Sequence, residues 1–246
     1  MDEVIVALTV RDFLDRAESV YGRRIAVVDE PEQPAPSLGE FGYADLAQRA
    51  RAQAARLDEL GVPVGGRVAV ISHNSARLLT SFFGVSGWGR VLVPVNFRLP
   101  LAEVSYIVAH SGAQVVYVDP ALREVYDGLD VAHKFLLGDD EAMFRFGAEP
   151  QPWTEPDENA TATINYTSGT TARPKGVQLT HRNVWLNATV FGLHLGVSDR
   201  DVLLHTLPMF HCKVPYGVCR APHPPSSSPP RQRRAPSHWR PLTPSP

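Results

Sequence analysis

Apolar positions recur along most of the chain in two alternating rhythms. Over residues 43–60, Leu46, Ala50, Ala54 and Leu57 fall at helical spacing with arginines on the opposite side, which predicts an amphipathic helix. Gly61 stands where a glycine commonly closes a helix. Residues 67–72 (RVAVIS) form a short apolar run rich in β-branched side chains, the pattern of a buried strand. The rhythm then repeats: a helix over 76–88, a strand over 91–95, a helix over 101–110 and a strand over 114–118. Such close alternation predicts an α/β fold, a mostly parallel sheet covered by helices, with right-handed crossovers. Trp88, Phe82 and Phe83 read as core, and Trp185 and Phe191 as packing a later helix against the sheet.

The rhythm stops in three places. Residues 30–40 form a proline-rich surface loop, and 119–159 is mixed and acidic. From Lys213 onward the chain is rich in proline, serine and arginine, has no acidic residue and shows no apolar period. That stretch cannot bury enough surface to offset its conformational entropy, and disorder is expected over 213–246. Its Arg-Gln-Arg-Arg run reads as a solvated tail.

Composition bounds the remaining possibilities. A chain of 246 residues with 43% hydrophobic and 20% charged residues has the makeup of a globular protein with a sizeable core. The net charge of -2 gives no reason to expect nucleic acid or an anionic membrane as partner. No apolar run reaches bilayer length, and the first residues lack the pattern of a secretory signal. The two cysteines, Cys212 and Cys219, are too few for a disulfide framework, so the cytoplasm is the expected compartment. A metal site from His205, His211, Cys212, Cys219 and His223 matches no zinc spacing, and no metal ligand is assigned.

The chemistry concentrates in residues 160–183, ATATINYTSGTTARPKGVQLTHRN. A strand over 162–166 runs into Thr167, Ser168, Gly169, Thr170 and Thr171, closed by Pro174, Lys175 and Gly176. Hydroxyls and backbone N–H groups in a tight glycine turn form a concave donor set suited to oxyanions. Lys175 adds a positive point charge that reaches a phosphate without bidentate geometry. A short strand over 177–179 returns, and Thr180 is placed to cap a helix from His181. The string is not a Walker A loop, because proline precedes the lysine, glycine follows it, and a strand comes next. A solvated Ser/Thr/Gly loop is the plain alternative; the full ordered string between two strands favours phosphate binding.

The same string resembles the phosphate-binding signature of the AMP-forming synthetase superfamily, which includes acyl-CoA synthetases, luciferases and peptide-synthetase adenylation domains. The family usually has glycine where this chain has Ala172. Phe41 to Leu46 (FGYADL), residues 87–99 (GWGRVLVPVNFRL) and residues 207–211 (LPMFH) match further segments in order, so the resemblance covers roughly residues 10–212. It implies the N-terminal portion of the adenylate-forming large domain over residues 1–212, with 213–246 as a tail.

The resemblance implies an acid–thiol ligase that joins a fatty or other carboxylic acid to ATP with Mg2+, releases pyrophosphate, and passes the acyl group from acyl-AMP to coenzyme A. It assigns Thr167, Ser168, Gly169, Thr170, Thr171, Lys175 and Gly176 to the phosphates, with Lys175 and His211 as catalytic candidates, His211 lining the acyl pocket or positioning the carboxylate. Without the resemblance, His211 reads equally as a half-buried histidine at a strand end. The family's adenine-binding segment, magnesium-binding glutamate, ribose-binding aspartate and C-terminal domain all lie beyond the LPMFH segment. A reading-frame change or truncation near Lys213 is therefore expected, with exposed apolar patches and weak or absent adenylation. The rival reading is a non-catalytic remnant that acts as a binding module.

Overall fold

The computed structural model describes residues 6–167 and 173–211. The chain opens with helix α1 (Arg11–Tyr21) and an antiparallel pair, β1 (Ile25–Val28) with β2 (Glu40–Gly42), neither anticipated from the sequence. Helix α2 (Tyr43–Glu59) follows, and its four predicted inward residues, Leu46, Ala50, Ala54 and Leu57, are all buried. The Asp45 carboxylate accepts from the Gly42 N–H at 3.1 Å at its start. Gly61 ends it with φ +71°, a conformation that penalises a side chain.

The main sheet has six strands in the order β6-β5-β3-β4-β7-β8. These are β3 (Arg67–Ile71), β4 (Val91–Val95), β5 (Ala113–Val118), β6 (His133–Leu136), β7 (Thr161–Thr167) and β8 (Lys175–Thr180). The first five run parallel, and β8 returns antiparallel beside β7. The central strands are buried on both faces, which is why they read as continuous apolar runs.

Helices cover the two faces alternately. Helix α3 (Ala76–Gly84), which links β3 to β4, packs Leu78, Phe82 and Phe83 in one core with Val68, Val70 and Leu92. Helix α4 (Leu101–Ser111), which links β4 to β5, packs Val104, Ile107 and Val108 in the other with Ala69, Ile71, Val93 and Val95. The period of two along β3 thus divides neighbouring residues between two cores.

The predicted helix over 76–88 is two pieces: α3 ends at Gly84, and Ser86–Trp88 form a separate 3-10 turn. Gly84 lies against Gln53, whose Oε1 is 2.4 Å from where a Cβ would sit. Beyond it the Ser86 hydroxyl donates to the Ala162 carbonyl of β7 at 2.8 Å, pulling the chain off the helical path. Trp88, Phe82 and Phe83 are buried as expected.

The acidic stretch hides more structure: α5 (Arg123–Gly128), β6 and the short α6 (Asp140–Met143). The Lys134 charge masked β6; its Nζ donates to the carbonyls of Tyr126 at 2.9 Å and Leu129 at 2.7 Å. Two buried arginines brace this side. Arg77 pairs with Asp140 at 2.8 Å, and Arg90 pairs with Asp58 while donating to the Val62 carbonyl at 2.9 Å.

Helix α7 (His181–Leu195) starts where predicted, with the Thr180 hydroxyl accepting from the Asn183 N–H at 3.1 Å. Its aromatic residues do not pack as expected. Trp185 stacks on Phe13 of α1, with ring centroids 5.7 Å apart, and Phe191 is exposed. The reason is that β8 lies at the sheet's edge, so α7 meets the sheet through Val184 and Ala188 and leaves its other side open.

Candidate active site

In an open parallel sheet, ligands bind beyond the carboxyl ends of the strands where successive connections leave to opposite faces. Here that point lies between β3 and β4, whose following helices α3 and α4 cover opposite faces. The residues just past the two strands are Ser72–Asn74 and Asn96–Leu99, and chemistry-bearing side chains gather over them.

The His73 ring lies 4.0 Å, centroid to centroid, from Phe97. Phe97 meets Phe210 edge-on at 5.6 Å, and Phe210 meets His211 at 4.3 Å. A row of rings therefore runs from β3 to the LPMFH segment. That segment is held by two asparagines. Asn74 Nδ2 donates to the carbonyls of His205 at 3.0 Å and Leu207 at 2.9 Å, and its Oδ1 accepts from the Met209 N–H at 2.8 Å. Asn165 of β7 donates to the Phe210 carbonyl at 3.1 Å. His205 is partly buried, its imidazole pushed below the ordinary range by loss of solvent. Asn74 also borders a cavity of about 480 Å³ lined by Val28, Ala76, Leu79, Leu203 and Met209.

The predicted phosphate loop leaves the same edge of the sheet. Because β7 is parallel to β4, Thr167 ends up at the carboxyl side, and the hairpin pairs it directly with Lys175. Thr167, Lys175 and Gly176 are exposed. Ser168, Gly169, Thr170 and Thr171 lie outside the described residues, as do Ala172 and both cysteines. Strand spacing of ~4.8 Å puts Thr167 roughly 10 Å along the edge from β3.

The shoulders of the loop are packed against α4. Tyr166 shares a 2.7 Å hydrogen bond with His110 Nδ1, and burial pushes its phenol up. The Arg173 guanidinium sits 5.4 Å above the Tyr106 ring. Gly176 lies so close to β7 that a Cβ there would sit 3.0 Å from Ile164 Cγ2 and 3.2 Å from Tyr166 Cζ.

Of the candidate residues named from the sequence, Thr167, Lys175, Gly176 and His211 are described, and the fold places all four at one edge. His73 and Asn74 form a bend just past β3, and nothing local in the sequence marks the asparagine's hold on residues 205–209. Sequence reasoning missed Asn165 and Asp119. The available signal was their position: each stands at or just past the carboxyl end of a parallel strand.

The sequence model of the family described as "AMP-binding enzyme" matches residues 14–218. The chain belongs to this family. It is 35% identical over 234 residues to a long-chain-fatty-acid–CoA ligase of Thermus thermophilus, with 89% of this chain and 42% of the relative covered. It is 34% identical over 226 residues to 4-hydroxybutyrate–CoA ligase 2 of Metallosphaera sedula, covering 83% of this chain and 40% of that protein. The N-terminal domain of FACL13 from Mycobacterium tuberculosis superposes with a TM-score of 0.73 at 32% identity, covering 82% of this chain and 52% of that one. The chain therefore spans about two fifths of the curated relatives it matches.

Among the described residues no three His, Cys, Asp or Glu side chains converge as a metal site. The Thr167 hydroxyl is a single hard oxygen, so these residues do not form a magnesium cage, and no step through the ion follows from them. No helix among the described residues is long and apolar enough to cross a membrane.

Proposed function

We propose that this chain carries the pyrophosphate-gripping and acyl-facing part of an AMP-forming acid–thiol ligase. The observation that supports this most directly is the β7–β8 hairpin, which sets Thr167 opposite Lys175 at the carboxyl edge beside the ring-lined crevice. In acyl-adenylate formation negative charge moves onto departing pyrophosphate. Preorganised hydroxyl and N–H donors stabilise such charge without reorganising as it develops. Thr167, Ser168, Gly169, Thr170 and Thr171 take this role, Lys175 supplies the positive charge, and Gly176 lets the lysine strand lie flat on Tyr166. His211, at the end of the ring row, faces the acyl carboxylate. Mg2+ accompanies the nucleotide, with its protein ligands outside the described residues. The reading assigns residues 1–212 to this partial domain, 213–246 to the tail, and the protein to the cytoplasm.

The test is ATP binding by calorimetry. Removing one charge-assisted contact costs about 1.5–3 kcal/mol, so Lys175→Ala is expected to weaken ATP binding by at least tenfold. Equal affinity of the two proteins, or no binding by the unsubstituted chain, ends this reading.

A second reading, a non-catalytic binding module, has one observation in its favour. Phe191, Leu193 and Leu195 of α7 and Leu203, Leu204 and Leu207 of the following segment are each exposed. Clustered exposed apolar side chains mark faces made for another folded surface.

A further inference from the structure

Past the carboxyl ends of β3 and β5 stands an acid–base pair that neither His211 nor Lys175 uses in its candidate role. His73 Nδ1 lies 2.9 Å from Asp119 Oδ2. Asp119 stands just past the end of β5 and is buried, with 4% of its side chain exposed, whereas His73 is 39% exposed. The carboxylate is held from several directions: Oδ2 also accepts from the His73 N–H at 3.4 Å and Oδ1 from the Ala121 N–H at 2.9 Å. An ionised carboxylate only accepts hydrogen bonds, so His73 Nδ1 carries the proton. The neutral imidazole then has its lone pair on Nε2, to which no described residue hydrogen-bonds. Phe97 packs on the ring and limits its rotation. The other polar groups around the ring row are cations or hydrogen-bonded amides: the Arg98 guanidinium 5.0 Å from the Phe97 ring, and Asn74 and Asn165 already engaged. His211, at its far end, has no carboxylate behind it among the described residues.

We propose that His73 is the proton acceptor for the thiol nucleophile and that Asp119 is its positioning residue. This rests on the ligase reading above. A thiol with an ordinary value of about 8.5 is mostly protonated at neutral pH, so its attack needs a positioned proton acceptor. The thiol proton passes to Nε2 as the sulfur electron pair forms the C–S bond to the acyl carbon. The C–O bond to the phosphate breaks, and its electron pair leaves with AMP. The imidazolium is stabilised against the Asp119 carboxylate and later releases its proton to water.

The experiment is nitrogen-15 NMR of the whole chain with labelled histidines, the His73 signal being assigned by its loss in His73→Gln. The expected result is an Nδ1–H tautomer whose Nε2 resonance shifts on adding coenzyme A and shifts much less on adding S-methyl coenzyme A. Asp119→Asn should let both tautomers appear. An Nε2–H tautomer in the unsubstituted chain, no response to coenzyme A, or an equal response to the S-methyl form overturns the proposal. Each of these is read in the unsubstituted chain, and His73→Gln, at a side chain 39% exposed, is needed folded only for the assignment. Failure of the phosphate-loop reading is separate, because it shows as unchanged ATP binding in Lys175→Ala.

Discussion

The two halves of the main sheet are built from similar residues and end in opposite conditions. Around β3, β4 and β5, helices cover both faces of the strands, and even Arg77 and Arg90 are paired and buried. Around β8, α7 and residues 202–207, the same apolar residue types face outward; Leu193 is 79% exposed and Leu204 81%. Composition therefore does not separate core from surface here. What separates them is whether a second layer is present to receive the face.

The sharpest way to break this contrast is a matched pair of substitutions. Leu92→Ala, at a fully buried site of β4, is expected to cost about 2–5 kcal/mol of unfolding free energy, while Leu204→Ala should change it by less than about 0.5 kcal/mol. Urea midpoints measure both. Equal losses would mean that residues 202–207 are covered in solution.

Acid should loosen the seam between the two regions. His181, at the start of α7, is buried against Trp153 and accepts from the Val10 N–H through Nδ1 at 3.3 Å. Burial pushes its imidazole down to about 4 from 6.5. Because the folded-state value is the lower one, the unfolded chain takes the proton first as the pH falls. Stability from this group is full above pH 6.5 and drains toward pH 4, on the order of 3 kcal/mol in total. Denaturant midpoints across that window should fall in the natural chain and flatten in His181→Leu.

Asn74→Ala probes how the open region is tied to the closed one. It removes three hydrogen bonds to residues 205–209, with an expected cost of about 1–3 kcal/mol. Amide exchange at Met209 should accelerate while that of β3 stays slow. Unchanged exchange at Met209 would show that the ring row alone holds the segment. Among the buried sites the smallest effect is expected at Tyr117, whose hydroxyl is buried without a partner among the described residues. Tyr117→Phe should stabilise the chain by about 1 kcal/mol, read as a raised melting temperature.

Much of the fold was legible because local pattern and tertiary environment agree in the closed region. The strand over residues 91–95 and the helix starting at His181 appear where periodicity and capping placed them. Elements whose local signals were diluted escaped: α1 carries five charged residues in its eleven, and β6 has a lysine in its four. The two strands flanking residues 168–174 were legible because their apolar alternation is local, and they pair as β7 and β8. Asn74, Asn165 and Asp119 were not, since each is an ordinary polar residue whose importance comes from a partner 45 or more positions away.

By itself, the sequence determined the alternation of helices and strands and the Ser/Thr/Gly string ending in Lys175 on which the phosphate-binding proposal rests, because both depend on spacing along the chain. Only the tertiary structure decided that β3 and β4 send their helices to opposite faces and that His73, Asp119 and the LPMFH segment meet past the strand ends. That meeting depends on strand order, and strand order is a property of long-range pairing that no local period encodes.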